Sequence, residues 1–113
     1  MIDAEPAHQA WRTKMVGDLA SGDITLSTQA LLALTYDDPD REWLENLLLR
    51  EVDEATDPQL RALAVTCMGH LGRLRGEVDR KIVSRLEALR ADNVLGGIAE
   101  DALGDIRHFA TVV

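Results

Sequence analysis

A chain of 113 residues, 46% apolar and 28% charged, is sized for a single compact domain with one continuous core, so 1–113 is read as one domain. Its formal net charge of −8 argues against a nucleic-acid partner, and no apolar run approaches the roughly 20 residues of a membrane span. The single cysteine, Cys67, excludes an internal disulfide, and "MIDAEPAHQAW" lacks a basic segment followed by an apolar one; the expectation is a cytoplasmic protein.

Abundant Leu and Ala, with few aromatics and few β-branched runs, predict an all-α fold. Trp11, Met15 and Leu19 lie four apart and predict a first helix over about 6–21, ended by Gly22. Asp23 caps a second helix with Leu26, Ala30, Leu31, Ala33 and Leu34, which ends at "YDDPD" because the residue before Pro39 disfavours helical dihedrals. Asp40 caps a third, with Leu44, Leu47, Leu48 and Val52 inward. Asp57-Pro58 is the clearest start signal, opening a fourth helix with Leu60, Leu63, Ala64, Cys67, Met68 and Leu71. Gly76 separates it from a fifth, carrying Val78, Ile82, Val83, Leu86 and Leu89. Asp92 opens a sixth, with Leu95, Ile98, Ala99, Ala102, Leu103, Ile106 and Phe109. Short connections imply antiparallel neighbours, and no strand pattern is visible.

"DPQLRALAVTCMGHL" (57–71) reappears 35 residues later as "DNVLGGIAEDALGDI" (92–106): Asp57/Asp92, Leu60/Leu95, Ala64/Ala99 and Gly69/Gly104 are identical. A fainter copy runs from Asp23 to Leu34. A two-helix unit of about this period is the mark of a helical repeat array, here with units of about 23–56, 57–91 and 92–113. Ala64, Gly69, Ala99, Ala102 and Gly104 are the small residues expected where helices approach closely.

The motif at 57–71 resembles the first helix of a HEAT repeat, which implies a short α-solenoid of about six antiparallel helices. In that pattern aspartate and arginine of adjacent repeats form a ladder. Asp57 and Arg61 match it, whereas Gly96 stands where the third copy should carry arginine. "LALTYDDPDREW", "LAVTCMGHLGRL", "GEVD" and "AEDALGDI" further resemble small bacterial HEAT-like proteins of polymorphic or contact-dependent toxin systems. That resemblance implies an immunity protein that binds a cognate toxin and occludes its active site. HEAT arrays also occur in alkylation-repair enzymes acting on DNA, in lyase-type proteins that modify tetrapyrroles, and in general adaptors, and these stand as alternatives.

Charge is unevenly placed. Residues 1–56 hold twelve acids and four bases; residues 57–113 hold eight of each. The densest acidic stretch is 37–54, with eight acids against Arg41 and Arg50. Such a surface serves solubility or attracts a basic protein, here a basic toxin domain. The expected partner site is Tyr36, Asp37, Asp38, Glu42, Trp43, Glu45, Asn46 and Leu49: Tyr36 or Trp43 as anchor, the acids as steering charge, Leu49 as an apolar residue on a polar face. In the structural alternative, Asp38 and Asp40 are turn and cap residues and Trp43 covers the core edge.

Enzyme chemistry finds little footing. His8, His70 and His108 show no ligand spacing, although the repeat could bring His70 and His108 together. Cys67 fills a slot held elsewhere by alanine, as a small core residue does. "GGIAED" follows no strand, so it is not a phosphate cradle, and Glu100 and Asp101 diverge by about 100° on a helix. The only basic concentration, Arg73 to Arg90, contains no aromatic for nucleic-acid stacking. The expectation is therefore a non-enzymatic binding protein, monomer or weak dimer when free, with no metal, no cofactor, no nucleic acid and no membrane.

Overall fold

In the computed structural model, which describes residues 5–113, the chain is all-α. Six helices are described: α1 Glu5–Leu19, α2 Ile24–Asp37, α3 Arg41–Glu54, α4 Pro58–Arg75, α5 Arg80–Leu89 and α6 Gly96–Phe109. None is long and apolar enough to cross a membrane. The chain divides into two units, Met1–Asp38 and Pro39–Val113.

In the first unit α1 packs on α2. Asp23 caps α2 by accepting the Thr25 and Leu26 N–H groups, as its position predicts. The buried Ser27 hydroxyl donates to the Leu19 carbonyl at 2.8 Å and ties the start of α2 to the end of α1. Ala30, Leu31 and Leu34 are buried, but Leu26, read as an inner position, is 41% exposed.

In the second unit α4 packs on α3 and α6, and α5 packs on α6. Asp40, Asp57 and Asp79 cap α3, α4 and α5 by accepting the Trp43, Gln59 and Lys81 N–H groups. Gly76 ends α4 at φ 72°, a left-handed conformation that residues with a β-carbon rarely adopt. The core is Leu44, Leu48, Val52, Ala64, Val65, Cys67, Met68, Leu71, Val78, Ile82, Leu86, Leu103 and Ile106.

The sequence repeat reappears as a spatial rule. A β-carbon at Gly69 would sit 2.9 Å from the Ala102 α-carbon, and one at Gly72 would sit 3.1 Å from that of Ile106. The contacts advance together along both helices, so α4 and α6 run parallel at an offset close to the repeat length. Past them the chain forms two short strands, β1 (Glu77–Val78) and β2 (Thr111–Val112), paired in parallel with Glu77 opposite Thr111 and Val78 opposite Val112. The same spacing links α3 to α5: Glu45 to Asp79, Asn46 to Lys81 and Asp53 to Arg85 are 34, 35 and 32 residues apart.

Several local expectations are corrected. Val78 belongs to β1 and not to α5, because the left-handed Gly76 sends the chain out of α4 in an extended course that α6's tail can pair with. These strands escape pattern reading because each is two residues long. Asp92 caps a turn ahead of α6, accepting the Val94 and Leu95 N–H groups, and the helix itself begins at Gly96. Gly96 departs from the repeat pattern for steric reasons: a β-carbon there would lie 2.6 Å from the Arg90 carbonyl oxygen. Phe109 is 51% exposed, and Gly104 faces open space, so it is no packing glycine like its counterpart Gly69.

The two glycines therefore respond oppositely to substitution. Gly69→Leu overpacks the α4–α6 contact and is expected to destabilise by about 1–3 kcal/mol. Gly104→Ala relieves the helix cost of an exposed glycine and is expected to stabilise by roughly 0.5–1 kcal/mol. Denaturant melts of both variants against the parent test this; a Gly69→Leu protein melting with the parent would contradict the packing.

Candidate functional site

The expected site residues fall into both units. In the first, Tyr36 is half exposed at the end of α2 and Asp37 beside it is exposed. Asp38 is not available for steering: it is fully buried, and Arg12 donates to both of its carboxylate oxygens at 2.8 Å. His8 Nε2 lies 3.5 Å from the same carboxylate, with its ring tilted against Trp11. A buried carboxylate keeps its charge only with such partners, so Asp38 was spent on holding α1 to α2.

In the second unit, α3 separates its expected site residues by face. Glu42, Asn46, Leu49 and Asp53 recur at helical spacing on one open stripe, with Leu49 half-buried. Trp43 is also half-buried. Glu45, expected among the steering acids, is fully buried at the edge of that stripe. Its Oε2 accepts from the Arg41 guanidinium at 3.0 Å and from the Asp79 N–H at 2.8 Å, which fixes α3 to the entry of α5. A helical wheel places residue 45 beside 42 and 49, and only the tertiary contact with Asp79 distinguishes it.

The open stripe borders a shallow groove of about 480 Å³ lined by Leu49, Asp53, Lys81, Ser84, Arg85 and Ala88. Lys81 donates to the Asn46 side-chain oxygen, and Arg85 pairs with Asp53. Lys81, Ser84 and Arg85 were missed as site residues. The repeat offset of about 34 was the signal that would have found them, since it sets α5 beside α3.

Several further cations and the histidines are engaged locally. Arg73 pairs with Asp105, and Arg90 with Glu100, so the basic concentration of 73–90 is countered by the chain's own acids. Arg61 donates to the Val52 carbonyl and also lies near Asp92. The Leu95 and Val94 N–H groups lower the Asp92 pKa, with the Arg61 charge contributing. His70 contacts Arg73, and His108 stacks edge-on against Phe109. Among the described residues no group of three or more His, Cys, Asp or Glu could hold a metal ion. Cys67 is fully buried in the core.

Comparison of the chain with protein-family models, curated proteins and solved structures finds no match.

Burial, with the Arg73 charge adding and Asp105 opposing, lowers the His70 pKa from its ordinary 6.5. The unfolded chain then binds more protons below that value than the folded one, so stability should fall as pH drops through 6.5 towards the folded pKa. His70→Gln should flatten that part of the pH–stability profile, read by thermal melting. Glu45→Ala leaves the part-buried Asp79 N–H without its acceptor and should cost about 1–3 kcal/mol. Glu42→Lys, on the exposed stripe, should stay within about 0.5 kcal/mol of the parent.

Proposed function

We propose that this protein is a non-enzymatic binding module, and that it acts as the immunity partner of a basic toxin domain whose active site it covers. The observation that carries the reading is the open stripe of α3. Glu42, Asn46, Leu49 and Asp53 leave a half-buried leucine among polar groups on the helix that lies in the densest acidic stretch of the chain. An apolar residue ringed by polar ones is the arrangement in which a partner gains affinity by excluding water, while the surrounding charge governs the encounter rate. The resemblance of the repeat motifs to HEAT-like immunity proteins supports the same reading.

The burial of Asp38 and Glu45 changes its electrostatics. Steering charge falls to Glu42, Asp53 and the exposed Glu54 on α3. Arg85 offsets Asp53 in the free protein, but an exposed ion pair is worth little and exchanges readily for a partner's cation. Inhibition in this reading is steric and electrostatic, and needs no chemical step.

The test begins with the reading frame adjacent to the gene. Co-purification of its product with this chain supports the immunity role; a neighbour that neither binds nor harms cells lacking this protein counts against it. With that partner in hand, Glu42→Lys combined with Glu54→Lys should slow association several-fold at low salt and weaken its salt dependence. Arg80→Glu combined with Arg107→Glu should do neither. Stopped-flow association at two salt concentrations makes the comparison, and the opposite ranking would move the interface off α3.

A further inference from the structure

The groove between α3 and α5 holds a charge that a purely basic partner leaves unanswered. Two side-chain bridges cross from one helix to the other. Lys81 Nζ donates to the Asn46 side-chain oxygen at 2.6 Å, and Arg85 pairs with Asp53. Leu49 lies between Asn46 and Asp53 on α3, Ser84 lies between Lys81 and Arg85 on α5, and both line the groove.

The bridges differ in kind. Arg85 and Asp53 are opposite charges that neutralise one another. Lys81 meets an amide, and among the described residues its ammonium has no carboxylate in ion-pair contact. Lys81 is exposed, so water solvates that charge in the free protein. The groove thus carries one acid and two bases in a chain of net charge −8, and its local sign is opposite to that of the molecule.

Covering Leu49 changes the surroundings of Lys81. Both line the same groove of about 480 Å³, so a partner that excludes water from the leucine also removes it from the ammonium. A desolvated charge without a counter-ion is costly, and a partner's cation beside it adds repulsion. Asp53 does not serve as the counter-ion, because Arg85 holds it. A carboxylate brought by the partner does. The ammonium has two protons beyond the one given to Asn46, and the exposed Ser84 hydroxyl, one turn on, is a further donor.

We propose, resting on the binding reading above, that the partner face covering the α3 stripe is not uniformly basic. It carries an aspartate or glutamate that enters the α3–α5 groove and pairs with Lys81 beside Ser84, while its cations address the acids of α3. This pair supplies specificity. The acids of α3 attract any basic protein, whereas Lys81 is satisfied only by one that presents an acid at the matching place.

The product of the adjacent reading frame is the probe. Lys81→Met removes the charge and keeps an unbranched stem, Lys81→Arg keeps the charge, and Leu49→Ala reports whether the partner covers the groove. Lys81→Met should weaken binding about tenfold or more, mainly through faster dissociation, and Lys81→Arg should recover most of the loss. Its melting midpoint should match the parent's, since the position is exposed. Carbodiimide, which joins an amine to a carboxylate in contact with it, should link Lys81 to an acidic residue of the partner. Peptide mass spectrometry reads the link directly, because the chain's other lysine, Lys14, pairs with Asp18. If Leu49→Ala weakens binding while Lys81→Met tightens it or leaves it unchanged, this proposal is overturned and the binding reading stands. If neither variant changes binding, or the neighbour does not bind, both are overturned.

Discussion

The second unit depends on how closely α4 and α6 approach. At Gly69 there is no room for a β-carbon beside the Ala102 backbone, 2.9 Å away, and at Gly72 one would fit only tightly, 3.0 Å from the Ile106 side chain and 3.1 Å from its α-carbon. Everything beyond that contact inherits its register. The parallel course of the two helices brings Gly76 level with Thr111, which lets β1 and β2 pair, and the pair in turn directs Arg80 N–H to the Val113 carbonyl at the start of α5. A bulkier side chain at either glycine would separate the helices and loosen this chain of contacts, because packed interiors transmit small displacements instead of absorbing them.

Buried charge does the second part of the work. Asp38 with Arg12, and Glu45 with Arg41 and the Asp79 N–H, are fully buried carboxylates whose desolvation is offset by charged and backbone donors. Neither is a device for raw stability, since a buried pair roughly balances its own desolvation. Their effect is specificity. Glu45 accepts one particular N–H, that of the residue capping α5, and so sets where α3 stands against the next repeat. The consequence for recognition is direct: of the eight acids in 37–54, the two that hold the structure together are withdrawn from the surface, and the open stripe of α3 is less acidic than the sequence suggests.

Helix existence was legible because each helix carries its own local signals. Asp23, Asp40, Asp57 and Gly76 act where capping chemistry predicts, and Cys67 sits in the core slot that its repeat equivalents assign to alanine. Boundaries failed where a signal served a different local purpose. Asp92 looks like a helix cap and caps a turn; Val78 has an apolar residue's spacing from Ile82 and lies in a strand. Phe109 and Leu26 fit an inner helical face by period alone, but nothing packs over them closely enough to bury them.

By itself the sequence determined the all-helical class, the number of helices, their capping and a repeat of about 35 residues, since these rest on dihedral preference, hydrogen bonding within a few residues and apolar period. The repeat length even carried the pairings between α3 and α5 and between α4 and α6, although that content was readable only as an offset. Tertiary structure alone decided which of two equivalent glycines is packed, which acids are buried, and that the chain closes on a short parallel pair of strands. Each of these depends on atoms at least 26 residues away in the chain, and no local preference reports whether a backbone or a cation will be waiting there.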